Sequence, residues 1–99
     1  MCGIAGILSG NNKISEDEVN NMLNTIQHRG PDQNKIFSNN LGSFGFVRLK
    51  IIDLSDRSNQ PFVSKDKNVK IIFNGEIYNY KELKKNLQDQ NIEFTTNSD

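Results

Sequence analysis

The only cysteine of this 99-residue chain is Cys2, beside the initiator methionine, and that position gives it a distinctive chemistry. Aminopeptidases remove Met1 when the next residue is small, which would leave a thiol and a free α-amine on the same Cα. An α-amine has a pKa of about 7.7–8.0, so part of it is unprotonated near neutral pH. It could then serve as general base for its own side-chain nucleophile. A lone cysteine in an apolar run is more often a small buried hydrophobic residue, so both interpretations stay open at this point.

A second candidate is the pair Asn74-Gly75, which lies between apolar residues 71–73 and 77–78. In isolation this dipeptide is a strong signal for a β-hairpin turn. The alternative is an oxyanion hole, in which the Asn74 amide and the Gly75 N–H both point at a developing negative oxygen. Glycine permits the close approach that such a site needs.

Arg48 is the third candidate, because it stands between Val47 and Leu49. A charge in an apolar setting requires a partner. The partner could be Asp53 or Asp99 within the fold, or the carboxylate of a substrate.

Residues 28–32 (HRGPD) form a compact polar turn. Its histidine could act as a base, but nothing nearby in the sequence pairs it with a nucleophile, so we interpret the turn as a structural end to a helix. One cysteine and one histidine cannot build a structural zinc site. Because the Gly-x-x-x-x-Gly-Lys phosphate loop is also missing, an ATP site in this segment is unsupported.

The elements that must position these residues follow from local patterns. Residues 3–8 predict a buried strand, and Ser15 with Glu18 predicts a capped helix whose apolar residues follow at helical spacing. Strands are expected near 35–38 and 43–47 around a turn at 39–42, then a short extended piece through 49–52. The last expected elements are a strand at 69–73 and a helix at 80–90. This order indicates an α+β layered domain.

Composition narrows the possible partners. Twelve basic and twelve acidic residues balance to a formal net charge of zero, which argues against a nucleic acid or an anionic membrane held by bulk charge. The N-terminal apolar run is too short to span a membrane and lacks a preceding basic residue. A single cysteine allows no internal disulfide, which fits a reducing compartment, and we expect the cytoplasm.

Taken together and in order, six segments resemble the glutamine amidotransferase domain of glutamine-hydrolysing asparagine synthetases. This is a class II amidotransferase domain of the N-terminal nucleophile hydrolase type. The segments are residues 1–6 (MCGIAG), 28–32 (HRGPD), 48–55 (RLKIIDLS), 59–61 (NQP), 74–79 (NGEIYN) and 98–99 (SD).

The resemblance implies a role for each candidate. Cys2 would attack the side-chain amide carbon of L-glutamine, and Asn74 and Gly75 would bind the tetrahedral oxyanion. Ammonia would leave a thioester, which water hydrolyses to glutamate. Arg48 would bind the substrate α-carboxylate. The remaining glutamine-binding residues implied by the family are Asp99 and Glu76 near the α-amino group, with Leu49, Ile51 and Ile52 completing the pocket.

The resemblance also implies a larger domain within a longer protein. The expected fold is the N-terminal part of a four-layer αββα domain, with antiparallel sheets incomplete in residues 1–99. We expect a truncated amidotransferase domain that lacks a C-terminal synthetase domain. ATP and magnesium would belong only to that synthetase domain, which amidates aspartate, and the full-length protein could be a homodimer. Two alternatives remain: an inactive remnant or interaction segment, and an amidotransferase for another acceptor, as in amidophosphoribosyltransferases or in sugar and antibiotic pathways.

Overall fold

The computed structural model describes residues 1–10, 14–51 and 53–98. The first sheet contains strands β1 (Gly3–Leu8), β2 (Gln33–Ser38) and β3 (Gly42–Arg48), and the second contains β4 (Phe62–Val63) and β5 (Lys70–Ile71). Helix α1 spans Glu16–Thr25 and helix α2 spans Tyr80–Gln88. Short 3₁₀ turns occupy Gln27–Arg29 and Asp56–Ser58.

The three-stranded sheet is antiparallel and has the order β1-β3-β2. Its register places Gly3 opposite Val47 and Gln33 opposite Arg48. The turn between β2 and β3 forms because the Asn39 side chain accepts hydrogen bonds from the next backbone N–H groups, at 2.9 and 3.0 Å. As a result, the start of β1, the start of β2 and the end of β3 lie together at one end of the three strands. This end, called the sheet edge below, carries Cys2 and Arg48.

Helix α1 covers one face of this sheet. Ser15 is its N-cap, as predicted, and the Ser15 hydroxyl accepts a hydrogen bond from Asp17 N at 3.2 Å. Val19 and Leu23 are completely buried against Val47 of β3, and partly buried neighbours surround them: Ala5, Ile7, Ile26 and Ile36. Each fully buried side chain of this kind contributes about 1.5–3 kcal/mol. The helix therefore holds β1 and β3 together beneath the edge that carries Cys2.

Gly30 allows the turn after α1 to lie directly on β3. A Cβ at this position would lie 2.4 Å from Val47 C and 2.5 Å from Arg48 N, which are backbone atoms of a central strand and cannot move aside. Any larger residue would push the turn away from the end of β3. This close contact fixes the turn at residues 28–32 beside Arg48.

One sequence prediction is wrong at the end of β3, and another, further along the chain, is confirmed only in part. The extended piece expected at 49–52 is not a strand over residues 49–51, and Ile52 lies outside the described residues. The physical reason is that the backbone donors there bind side chains: Leu49 N donates to Cys2 Sγ and Lys50 N donates to Asp32 Oδ2. The strand expected at 69–73 is paired only over Lys70–Ile71.

The hairpin interpretation of Asn74-Gly75 is also wrong. A two-residue turn of this sequence requires positive φ at both residues, and neither residue has it. The chain instead continues from Gly75 into α2. That helix carries Leu83 and Leu87 on one side, but within the described residues it has no buried side chain. Lys84 Nζ donates to Thr96 O at 2.7 Å and ties the helix to the segment that follows.

The fold is thus a mixed α and β arrangement of small antiparallel sheets and two helices, consistent with the predicted α+β class. None of the helices in the described ranges is long and apolar enough to cross a membrane.

Candidate functional site

Cys2 lies half-buried at the sheet edge, immediately before β1. Its sulfur faces the backbone of Leu49, which follows β3. Leu49 N donates to Cys2 Sγ at 3.3 Å, and the thiol can donate to Leu49 O at 3.7 Å. An amide N–H directed at sulfur stabilises negative charge on it. Cys2 is therefore not a fully buried core cysteine: it is half-buried, and its thiol is hydrogen-bonded to polar backbone groups.

The turn at residues 28–32 holds both Cys2 and the segment that Cys2 faces. Arg29 Nε donates to the Cys2 carbonyl oxygen at 3.1 Å. Asp32 N donates to Arg48 O at 3.0 Å, while the Asp32 carboxylate accepts from Lys50 N at 2.8 Å. The turn is structural, as predicted, but it also fixes Cys2 and the residues beside it.

Arg48 is only 6% exposed, and its guanidinium is held by uncharged oxygen atoms. Nη1 donates to Ser55 O at 3.0 Å and to Asn59 Oδ1 at 2.7 Å. Nη2 donates to the backbone carbonyl of Asp53, not to its carboxylate. The ion pair found among the described residues joins Lys50 to Asp56 instead. These contacts occupy both hydrogens of Nη1 and one of Nη2, and none of the three oxygens neutralises the charge of the guanidinium.

Asp53 uses its carboxylate to order the loop after β3. Oδ1 accepts from Ser55 N at 2.8 Å, and Oδ2 accepts from Asn97 N at 3.0 Å. Hydrogen bonding by Ser55 and by the backbone N–H of Asn97 holds the pKa of the Asp53 carboxyl well below its usual range. The bond to Asn97 brings the C-terminal segment to the Arg48 loop, two positions before Asp99, which lies outside the described residues.

This depressed pKa predicts a specific acid sensitivity. Because the folded pKa lies below the unfolded value of about 3.9, the contribution of Asp53 to stability is complete above that pH and is lost as the pH falls below it. We expect Asp53→Asn to lower the urea midpoint more at pH 7 than at pH 3. Asp89→Asn, at the end of α2, is the control. An equal loss at both pH values for Asp53→Asn would contradict this prediction.

Asn74 and Gly75 lie on the exposed segment after β5. The Phe73 ring lies against Gly75, so that a Cβ at this glycine would be 2.5 Å from Phe73 Cζ. The backbone of Phe73 is bound by the side chain of Gln60: Nε2 donates to Phe73 O at 2.9 Å, and Oε1 accepts from Phe73 N at 2.5 Å. The dipeptide is therefore anchored through the residue before it.

The structure unites some of the predicted site residues and leaves others apart. Cys2, Arg48 and Leu49 share the sheet edge, and hydrogen bonds connect Arg48 to the loop at 53–59. Among the described residues, no hydrogen bond joins Cys2 to Asn74 or Gly75 directly. Ile51 and Glu76 are exposed. The predictions for Ile52 and Asp99 lie outside the described residues.

Sequence reasoning missed several residues that hold the site together: Arg29, Asp32, Asn59 and Gln60. Their partners are 11 to 27 positions away along the chain, which no local spacing can reveal. The available signal was the presence of residues 28–32 and 59–61 among the resembling segments.

A cavity of about 410 Å³ lies elsewhere, between the two sheets. It is lined mainly by Phe37, Phe44, Pro61 and Ile71, and Lys70 Nζ lies 4.2 Å from the Phe37 ring centroid. Its lining includes none of the predicted site residues. Over the described ranges, no group of three or more His, Cys, Asp or Glu side chains is placed to hold a metal ion.

The sequence profile described as "Glutamine amidotransferase domain" matches residues 1–99. The chain belongs to this family. Three relatives align over the whole chain. "Asparagine synthetase [glutamine-hydrolyzing] 1" of Bacillus subtilis is 40% identical, with 16% of its length covered. "Asparagine synthetase [glutamine-hydrolyzing]" of Brassica oleracea is 39% identical, with 17% covered. "Amidase chry2" of Gibberella zeae is 38% identical, with 16% covered.

Across eight of the curated relatives that it matches, this amidotransferase segment spans between 13% and 22% of their length. The resemblance inferred from the six segments is confirmed. Most of each relative has no counterpart in residues 1–99.

Proposed function

We propose that this amidotransferase domain hydrolyses the side-chain amide of L-glutamine, with Cys2 as the nucleophile. The observation that carries the proposal is the buried Arg48 guanidinium, fixed by three neutral oxygens beside the segment that contacts Cys2. None of these oxygens neutralises the positive charge, and a fixed cation close to a nucleophilic thiol suits a substrate with a carboxylate near its reacting carbonyl. Glutamine has that arrangement.

Before the first turnover, an aminopeptidase removes Met1, which is 72% exposed. The new α-amine takes the proton of the Cys2 thiol as sulfur attacks the amide carbon. Asn74 and Gly75 bind the negative oxygen of the tetrahedral intermediate. The C–N bond then breaks, the amine returns the proton to the leaving nitrogen, and ammonia departs. Water hydrolyses the thioester to glutamate and restores the thiol.

Arg48 provides the test of substrate binding. We expect the protein to hydrolyse L-glutamine with a kcat/KM about 10- to 100-fold above that for the glutamine α-methyl ester, because charged hydrogen bonds contribute about 1.5–3 kcal/mol. In Arg48→Met this preference should collapse towards one, and in Arg48→Lys it should be partly kept. Ammonia release measures the rate of hydrolysis of both substrates. Because a misfolded fraction lowers both rates by the same factor, it cancels in their ratio. An unchanged preference in Arg48→Met would contradict the assignment.

We also propose which acceptor receives the ammonia, and this proposal concerns the whole protein rather than residues 1–99 alone. Relatives named asparagine synthetase favour ATP-dependent amidation of aspartate by a separate synthetase domain, and a relative named amidase favours a different acceptor. Incubating the protein expressed from its complete gene with glutamine, ATP, magnesium and aspartate distinguishes them, since only the first produces asparagine.

A four-layer αββα fold is also part of this proposal. Ala5 and Ile7 of β1 pack under α1, whereas Ile4 and Leu8, on the opposite face, are 48% and 74% exposed. An apolar second face supports a further layer upon it. An experimental structure of the protein expressed from its complete gene would test this arrangement.

A further inference from the structure

The side chain of Gln60 forms a paired hydrogen bond with the backbone of Phe73. Its Oε1 accepts from Phe73 N at 2.5 Å and its Nε2 donates to Phe73 O at 2.9 Å. The two bonds reproduce what a neighbouring β-strand would offer to one residue. Gln60 therefore replaces the strand that is missing opposite Phe73.

These two bonds fix the peptide groups on both sides of Phe73. Phe73 O belongs to the peptide unit that contains Asn74 N, and a peptide unit is planar. Holding the carbonyl therefore sets the direction in which the chain enters Asn74. The Phe73 ring in turn lies against Gly75. Both residues assigned to the oxyanion are thus oriented through Phe73.

Gln60 is itself attached to the Arg48 side of the site. Gln33 Nε2 donates to Gln60 O at 3.1 Å, and Gln33 is the residue of β2 that lies opposite Arg48. The neighbouring residue, Asn59, accepts from Arg48 Nη1 at 2.7 Å. Residues 59 and 60 therefore form a bridge between the guanidinium and the Asn74-Gly75 segment.

We propose that Gln60 is a positioning residue that sets Asn74 and Gly75 at the correct place relative to the Arg48 anchor. The proposal rests on the function proposed above. Gln60 does not touch the reacting atoms; it acts through Phe73. Misplacing an oxyanion donor by about 1 Å can cost on the order of 100-fold in rate.

The test uses Gln60→Ala and Asn74→Ala, singly and combined, in the protein expressed from its complete gene. We expect Gln60→Ala to lower kcat about 10- to 100-fold with little change in KM, since its side-chain amide is hydrogen-bonded to Phe73 and not to Arg48. In the Asn74→Ala background the same change should have little further effect, because its route to the reaction is already lost. Gln90→Ala, which removes an exposed amide on the last turn after α2, is the matched control.

Amide hydrogen exchange gives a readout that does not depend on activity. Gln60→Ala should speed exchange at residues 73–75 and leave β1 to β3 unchanged. Unaltered exchange, an unaltered kcat, or losses that multiply in the double variant would each overturn the proposal while leaving the glutaminase assignment intact. Absence of Cys2-dependent glutaminase activity in the parent protein would overturn the proposed function as well, so the two failures are distinguishable.

Discussion

Replacing Cys2 by alanine is expected to abolish the release of glutamate and ammonia from glutamine. Loss of a covalent nucleophile in a hydrolase costs on the order of 10⁶-fold in kcat, which is below detection in an ordinary assay. The fold should survive, because Cys2 precedes β1, is only half-buried, and its thiol is hydrogen-bonded to the backbone of Leu49. Glutamate formation measures the activity, and urea unfolding monitors the fold.

A companion variant isolates the role of the α-amine. Extending the N-terminus by residues that aminopeptidases do not remove leaves the Cys2 thiol in place but turns its amine into an amide, which cannot act as a base. We expect this variant to lose glutaminase activity while iodoacetamide still alkylates the thiol. Activity that survives Cys2→Ala would eliminate the proposed mechanism, and full activity of the extended protein would eliminate the amine as general base.

Asn74→Ala is expected to lower kcat by about 10²–10³-fold with little effect on KM. This is the usual cost of removing one donor from an oxyanion hole, because the donor strengthens its bond only as the negative charge develops. We expect little loss of stability, because Asn74 is exposed and truncating its side chain leaves no cavity in the core.

Asn74→Asp and Asn86→Ala complete the experiment. The aspartate has nearly the same shape but places a carboxylate where the oxyanion forms, so its kcat should be at least as low as that of the alanine variant. Asn86 is an exposed residue of α2, and its replacement should leave kcat unchanged. A rise in KM without a fall in kcat for Asn74→Ala would instead assign this residue to binding in the ground state.

Local signals predicted the elements that local interactions build. The strand at Gly3–Leu8, the helix capped by Ser15 and the hairpin around Asn39 all form where expected. Each depends on contacts between residues close in the chain or on simple apolar periodicity. The same reasoning failed at 49–51 and at Asn74-Gly75. Side chains distant in sequence take the N–H of Leu49 and the N–H of Phe73, the residue before Asn74, which a strand ladder would have used.

The sequence by itself determined which chemical groups the site can use: a thiol that can become N-terminal, an arginine in an apolar setting and an amide beside a glycine. The identity of these groups is fixed by the covalent structure of the chain, and the family resemblance implied a role for each of them. Only the tertiary structure decided what each group faces. Contacts such as Cys2 with Leu49, 47 positions apart, or Gln60 with Phe73, 13 positions apart, arise from the packing of strands and loops. Packing brings together residues whose separation along the chain carries no information about their distance in space.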